Sequence, residues 1–234
     1  MSSATTVGKN CVAALLFALI GRAMMNTKGL ENELGFYGAY HQNPMNQLIH
    51  FIFVPCIWWS VCIFMCYLPF PPLEILGIAE VRGHKISWGT LFIILYSVFY
   101  INLHPIAGTI TSCLYLGLYL QASSAVAAER KKANASQKKE NATKKMSLFK
   151  FAFILHALGW YMQIHPGHAI YEGVKPALLD SIGQAFGVAP MFAFLEGVWF
   201  VGMLPDLKLN VLKLVTENRE AMCSAGQVMP WCSA

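Results

Sequence analysis

Residues 47–68 read QLIHFIFVPCIWWSVCIFMCYL, and the way this stretch is buried decides the fold. It holds no Asp, Glu, Lys or Arg. As a helix it would be roughly 33 Å long at 1.5 Å per residue, enough to cross the ~30 Å hydrocarbon core of a bilayer. Pro69 ends it, with Pro71 and Pro72 close behind. Four further apolar stretches follow, at 88–103, 106–120, 148–164 and 186–204. The second and third are separated only by His104-Pro105, which predicts a tight helical hairpin. Backbone amides in lipid must be satisfied within their own segment, so each stretch is expected to be helical. A soluble bundle could bury runs of this length, but five of them in 234 residues argue against it. The expectation is an all-α, polytopic integral membrane bundle of about five helices, forming a single domain over residues 1–234. Residues 12–25 read either as a sixth span or as an interfacial helix, and the sequence does not decide between them. The tail after Leu204 carries mixed charge and reads as ending in a loosely structured segment.

Composition agrees. The chain is 56% hydrophobic and 12% charged, against roughly 25% charged in a soluble domain. The segment 129–145 holds seven basic residues (Arg130, Lys131, Lys132, Lys138, Lys139, Lys144, Lys145) against Glu129 and Glu140, which equals the whole net charge of +5. A basic loop beside apolar runs marks the cytoplasmic side of a membrane rather than a nucleic-acid surface. The seven cysteines form no CxxC pair, and four lie in apolar runs where cysteine acts as a small hydrophobe. Neither a structural disulfide nor a thiolate metal site is expected. Residues 11–20 are too short, and lack the small-residue site, for a cleavable signal peptide.

Counting crossings from the basic loop places the histidines. The stretch 106–120 starts on the face opposite that loop, where His104 lies. Stretch 88–103 begins on the basic face beside His84, so 47–68 starts on the opposite face beside His41 and His50. Stretch 148–164 crosses away from the loop and delivers His165 and His168 to the same opposite face, with His156 roughly 12 Å deeper. Six of the seven histidines thus sit at or below one face. His41, Asn43, Asn46 and His50 form one polar cluster; Gln163, His165, His168 and Glu172 form another. Asn46 and His50, spaced i,i+4, share a helix face. Each residue has a plainer reading. Asn43-Pro44 is a good helix cap with proline at N1, and a lone boundary histidine is usually interfacial. The convergence of both clusters raises the metal reading above these. Polar groups dipped into a membrane tend to mark function.

Neutral imidazole suits zinc, copper and iron alike. Composition and spacing leave three chemistries open: an iron oxygenase or other lipid oxidase, a zinc-dependent lipid hydrolase, and a non-catalytic membrane adaptor with structural histidines.

The stretches FYGAYHQNPMNQLIHFIFVP (36–55) and HALGWYMQIHPGHAIYEGVKPALLDSIGQAFGVAP (156–190) resemble the fungal-type endoplasmic-reticulum 2-hydroxy fatty acid dioxygenase family of phytosphingosine breakdown. The matching positions are Tyr40, His41, Asn46 and His50, then His156, Trp160, Gln163, Gly167, His168, Glu172, Pro176, Ala177 and Leu178. The resemblance spans about residues 30–205. It implies an enzyme of the endoplasmic-reticulum membrane that uses Fe(2+) and dioxygen to remove one carbon from a 2-hydroxy fatty acid. It departs from the family pattern in one extra residue between Gln163 and His168, and in a longer basic insertion after Leu120.

On this resemblance His41, His50, His156 and His168 are the expected metal ligands, with His165 as an additional or substitute ligand. Glu172 is expected to orient a ligand or carry a proton. Asn46 and Gln163 supply hydrogen bonds behind the ligands, and Lys175 draws the substrate carboxylate, although a snorkelling surface lysine is the plainer reading of it. The apolar bundle takes the acyl tail.

Overall fold

The computed structural model describes residues 11, 14, 15, 18, 21, 28–70, 80, 81, 84–136, 146–176, 186–226 and 229–233. Apart from one two-stranded hairpin, the described residues form helices. They are α1 (Leu30–Gly38), α2 (Pro44–Cys66), α3 (Trp88–Leu103), α4 (Pro105–Ser136), α5 (Leu148–Met162), a π-helical segment (Gln163–Glu172), α6 (Ala189–Phe200) and α7 (Pro205–Ser224). Strands β1 (Glu80–Val81) and β2 (His84–Lys85) pair between α2 and α3. A 3-10 turn, Pro230–Ser233, ends the described chain.

Helix α2 starts where the Asn43 side chain accepts from Met45 N at 2.9 Å, with Pro44 at the first helical position. It runs 23 residues with mean hydropathy 2.1. Pro55 lies inside it, a residue that apolar helices tolerate when neighbouring helices support the backbone. At its far end the Tyr67 hydroxyl donates to Glu129 on α4. Glu129 also accepts from Leu148 N, the start of α5, at 2.7 Å, and Arg130 donates to Cys66 O at 3.1 Å. The end of α2, the end of α4 and the start of α5 are therefore tied at one end of the bundle. The beginning of α2 and the π segment meet at the other.

Helices α3 and α4 form the expected hairpin. His104 Nδ1 accepts from Ala107 N at 3.1 Å and so caps α4. Gly108 lets the two backbones touch, because a side chain there would run into the Tyr100 carbonyl. Trp58 on α2 packs on Phe92 of α3 and Tyr115 of α4, with ring centroids 5.2 Å and 4.5 Å away. Large apolar side chains face outward along the bundle, among them Phe51, Ile94, Val98, Phe153 and Leu158.

Four expectations change. Residues 186–204 do not make a spanning helix. Helix α6 has 12 residues, roughly 18 Å, and Gly202 (φ 80) and Leu204 (φ 52) turn the chain immediately after it. The chain just before it accepts from Tyr96 Oη at Phe186 O (2.8 Å), midway along α3, so α6 begins inside the bundle. Among the described residues two helices, α2 and Pro105–Ala135, are long and apolar enough to cross a membrane; α3 and α6 are shorter. The basic segment begins as helix, since Arg130, Lys131 and Lys132 ride on the last turns of α4; residues 137–145 lie outside the described residues. The described residues of the tail are structured: α7 packs on α1, and Cys223 and Cys232 form a disulfide. Both cysteines lie outside the apolar runs. Gly226 takes the left-handed conformation (φ 76) just after α7. Most of the apolar stretch 12–25, and Ala177 and Leu178, lie outside the described residues.

Candidate metal centre

Three imidazoles converge where α1, α2 and the π segment meet. His41 follows α1. Its Nδ1 donates to Tyr37 O at 2.8 Å, one helical turn earlier, and the Tyr37 ring stacks on it with centroids 4.1 Å apart and planes 13° from parallel. His50 sits two turns into α2, and its Nδ1 donates to Asn46 O at 3.0 Å. Each ring thus spends its N–H on a carbonyl, which leaves both Nε2 atoms as bare lone pairs. These two atoms lie 3.3 Å apart. His168, from the π segment, stands nearly perpendicular to both, its centroid 4.7 Å from His41 and 5.2 Å from His50. Its Nδ1 is buried without a protein partner. One ring nitrogen from each of the three lies within 4.8 Å of the others, and all three residues are buried.

Two lone pairs at 3.3 Å repel unless a cation lies between them. Burial, followed by the neighbouring His50 and His168, holds His41 well below the ordinary histidine range. Burial, then His50, lowers His168 to about 3. Both are therefore neutral near pH 7, the state in which imidazole binds a metal.

The π winding explains how His168 arrives. Hydrogen bonds from i to i+5 widen the turn and bring residues five apart nearly onto one face. Gln163 and His168 are both buried inward, while His165 is exposed and stacks on Tyr161 at 5.5 Å. The π winding thus turns Gln163 and His168 inward together. Gly167 permits the close approach: a Cβ there would lie 2.6 Å from Asn46 Oδ1.

Glu172 stands behind the triad. Its carboxylate accepts from Gln42 N (2.8 Å), Asn43 N (3.0 Å) and Asn46 Nδ2 (3.0 Å), and so fixes the turn that carries His41 into α2. Asn46 Oδ1 and Gln163 Nε2 are buried with no partner in the protein. Lys175 is exposed just beyond the left-handed Gly173.

The structure does not bring His156 into this cluster. Trp160 Nε1 donates to its Nε2 at 3.0 Å, and its Nδ1 meets Ser60 Oγ at 2.8 Å. Both ring nitrogens are engaged. Ser60 lies ten residues along α2 from His50, roughly 15 Å away along the axis. The face of α5 that meets α2 is set by the packing of Gly159 on Ile57, which sequence spacing does not reveal. His104 is a helix cap, and the backbone of His84 lies in the hairpin beside the far end of α2.

Sequence reasoning passed over Tyr37, Phe192 and Glu196. Phe192 on α6 touches Tyr37 and His41, with centroids 5.0 Å and 5.7 Å away. Glu196, one turn further on, is the only acid in residues 186–204, and a lone charge in an apolar run was the signal available for it.

Three buried imidazoles that could hold a metal ion, on a helical and strongly apolar scaffold, define the class, and comparison narrows it. Residues 27–199 match the family model described as 2-hydroxy-palmitic acid dioxygenase Mpo1-like, and the chain belongs to that family. It is 32% identical over 183 residues to the 2-hydroxy-palmitic acid dioxygenase MPO1 of Saccharomyces cerevisiae, covering 78% of this chain and 87% of that relative. No solved structure matches.

Proposed function

We propose that this chain is an Fe(2+)-dependent dioxygenase of the endoplasmic-reticulum membrane, removing one carbon from a 2-hydroxy fatty acid with dioxygen. The observation that carries the reading is the convergence of three neutral, buried imidazoles whose other nitrogens are committed or shielded. That donor set fits a divalent transition metal and leaves coordination positions free. His41, His50 and His168 would hold the ion, which when bound supplies the redox chemistry toward dioxygen. The family membership and the name of the yeast relative support the substrate class.

The remaining roles belong to the chain. Tyr37 O and Asn46 O fix the tautomers of His41 and His50, so that Nε2 faces inward in each. Glu172 holds the 42–46 turn in register through three N–H donors. Lys175 draws the substrate carboxylate to the mouth of the site. The outward apolar faces of α2 to α5 meet lipid, and the acyl tail follows them. In this reading α2 to α5 cross the bilayer, α6 dips in from the histidine side, and α1 and α7 lie on that side.

The test is metal analysis of the purified protein with oxygen uptake on a 2-hydroxy fatty acid. Stoichiometric iron and a product one carbon shorter support the reading. Zinc without oxygen uptake points to hydrolysis, and no metal points to an adaptor.

A further inference from the structure

Among the described residues, Glu196 is a buried ionisable group that no role above absorbs. It lies on the same face of α6 as Phe192, which touches both His41 and Tyr37. Its electrostatic neighbours are Tyr37 on α1 and Glu172 on the π segment. The amide of Gln47 on α2 approaches it while donating to His41 O at 2.9 Å. Both carboxylate oxygens are shielded from solvent, and neither is reached by a donor in hydrogen-bonding geometry. The contrast with Glu172, which takes three N–H donors, is sharp.

We propose that Glu196 is the carboxylate that balances the charge of the metal held by His41, His50 and His168. A buried carboxylate that only the Gln47 amide approaches is costly as an anion. A divalent cation held by three neutral imidazoles is costly without an anion nearby. Glu196 neighbours Tyr37, whose ring stacks on His41, so carboxylate and cation would each remove much of the other's cost. Glu172 cannot serve as well, because its charge is already spread over the 42–46 turn. Glu196 is thus a positioning residue, acting on the ion through the low-dielectric interior rather than through a bond. It also lies within the residues 27–199 that match the family model.

The inference rests on the metal reading above, and the experiment separates the two. Full-length protein is stripped with chelator in detergent micelles and titrated with Co(II), whose absorption spectrum reports binding. Wild type is compared with Glu196→Gln, Glu196→Asp and His41→Ala, and the thermal midpoint of each metal-free form is measured. Glu196→Gln should weaken Co(II) by about 10–100-fold, as for other groups behind metal ligands. Its metal-free form should melt at or above the wild-type temperature, because no favourable contact is lost. Glu196→Asp, which keeps the charge, should recover most of the affinity. Wild-type affinity in Glu196→Gln overturns the inference and leaves the metal site standing. A metal-free Glu196→Gln that misfolds or melts well below wild type overturns it in favour of a packing role. Wild type binding no better than His41→Ala overturns both readings.

Discussion

His41 Nε2 and His50 Nε2 lie 3.3 Å apart with no proton of their own to share, because each ring donates its N–H to a backbone carbonyl one turn earlier. The same i to i−4 device serves both, although one histidine follows a helix and the other lies within one. It aims two lone pairs at a point that His168 completes. If the three hold the proposed ion, losing any of them removes a direct metal bond. His41→Ala, His50→Ala and His168→Ala should each lose stoichiometric metal and all oxygen-dependent turnover. His156→Ala should keep its metal, because both nitrogens of that ring are occupied by Trp160 and Ser60. Metal content and product formation for the four variants, at matched folding, decide this. Loss of metal in a folded His156→Ala would mean that α5 turns its other face to the site.

Gly167 makes a sharper test of the geometry than any ligand. A methyl group there meets Asn46 Oδ1 at 2.6 Å, and the π segment must move away from α2 to admit it. Overpacking of this kind costs about 1–3 kcal/mol, and here the displacement carries His168 with it. Gly167→Ala should therefore lower metal affinity more than its fall in thermal midpoint suggests. Equal losses in Gly167→Ala and in an α5 packing variant such as Gly159→Ala would show that the site has no special sensitivity to this contact.

Much of this arrangement could be read from residue order, for identifiable reasons. Asn43-Pro44 announces the start of α2 because cap and proline act locally, and His104-Pro105 announces the α3–α4 turn in the same way. The crossing count gathers His41, His50 and His168 because helix direction depends only on how many times the chain reverses. What was hidden depends on rotation about an axis or on contacts far apart in sequence. His156 was placed with the ligands, yet its direction follows from Gly159 seating on Ile57. The stretch 186–204 is apolar enough to span, and the turn at Gly202 and Leu204 that shortens α6 leaves hydropathy unchanged. The Cys223–Cys232 bond joins residues whose surroundings carry no pattern.

The metal-free protein should lose stability in acid, and the sign follows from the lowered histidines. An unfolded histidine takes a proton near pH 6.5, whereas folded His41 and His168 resist it, His168 down to about 3. Below pH 6.5 the unfolded chain binds more protons than the folded one, so stability falls with pH and levels off below the folded value. Thermal midpoints of stripped protein between pH 7.5 and about 4 measure the slope. His168→Ala should flatten it. An unchanged slope in that variant would mean that other groups carry the acid sensitivity.

Orientation offers a test with two independent ends. The basic residues of 129–145 predict a cytosolic loop, because lysine and arginine bias short loops toward that side. The bundle puts the end of α4, which leads into that loop, opposite the triad, while α7 and the turn Pro230–Ser233 lie with α1 and Gly173 on the triad side. A disulfide persists in an oxidising compartment and is rare in the cytosol. The Cys223–Cys232 bond and the basic loop should therefore report opposite sides. Asn141 already begins an Asn-Ala-Thr acceptor sequence, yet it should stay unglycosylated in intact cells. Cys223 and Cys232 should resist a membrane-permeant thiol reagent until reductant is added. In the chain-entropy picture, closing a loop of this size contributes about 2–3 kcal/mol. Cys223→Ser should accordingly loosen the C-terminal turn, seen as faster proteolysis after residue 224, without removing metal from the triad. A glycan on Asn141, or free thiols at both cysteines in untreated cells, would invert the orientation and put the metal centre on the cytosolic side.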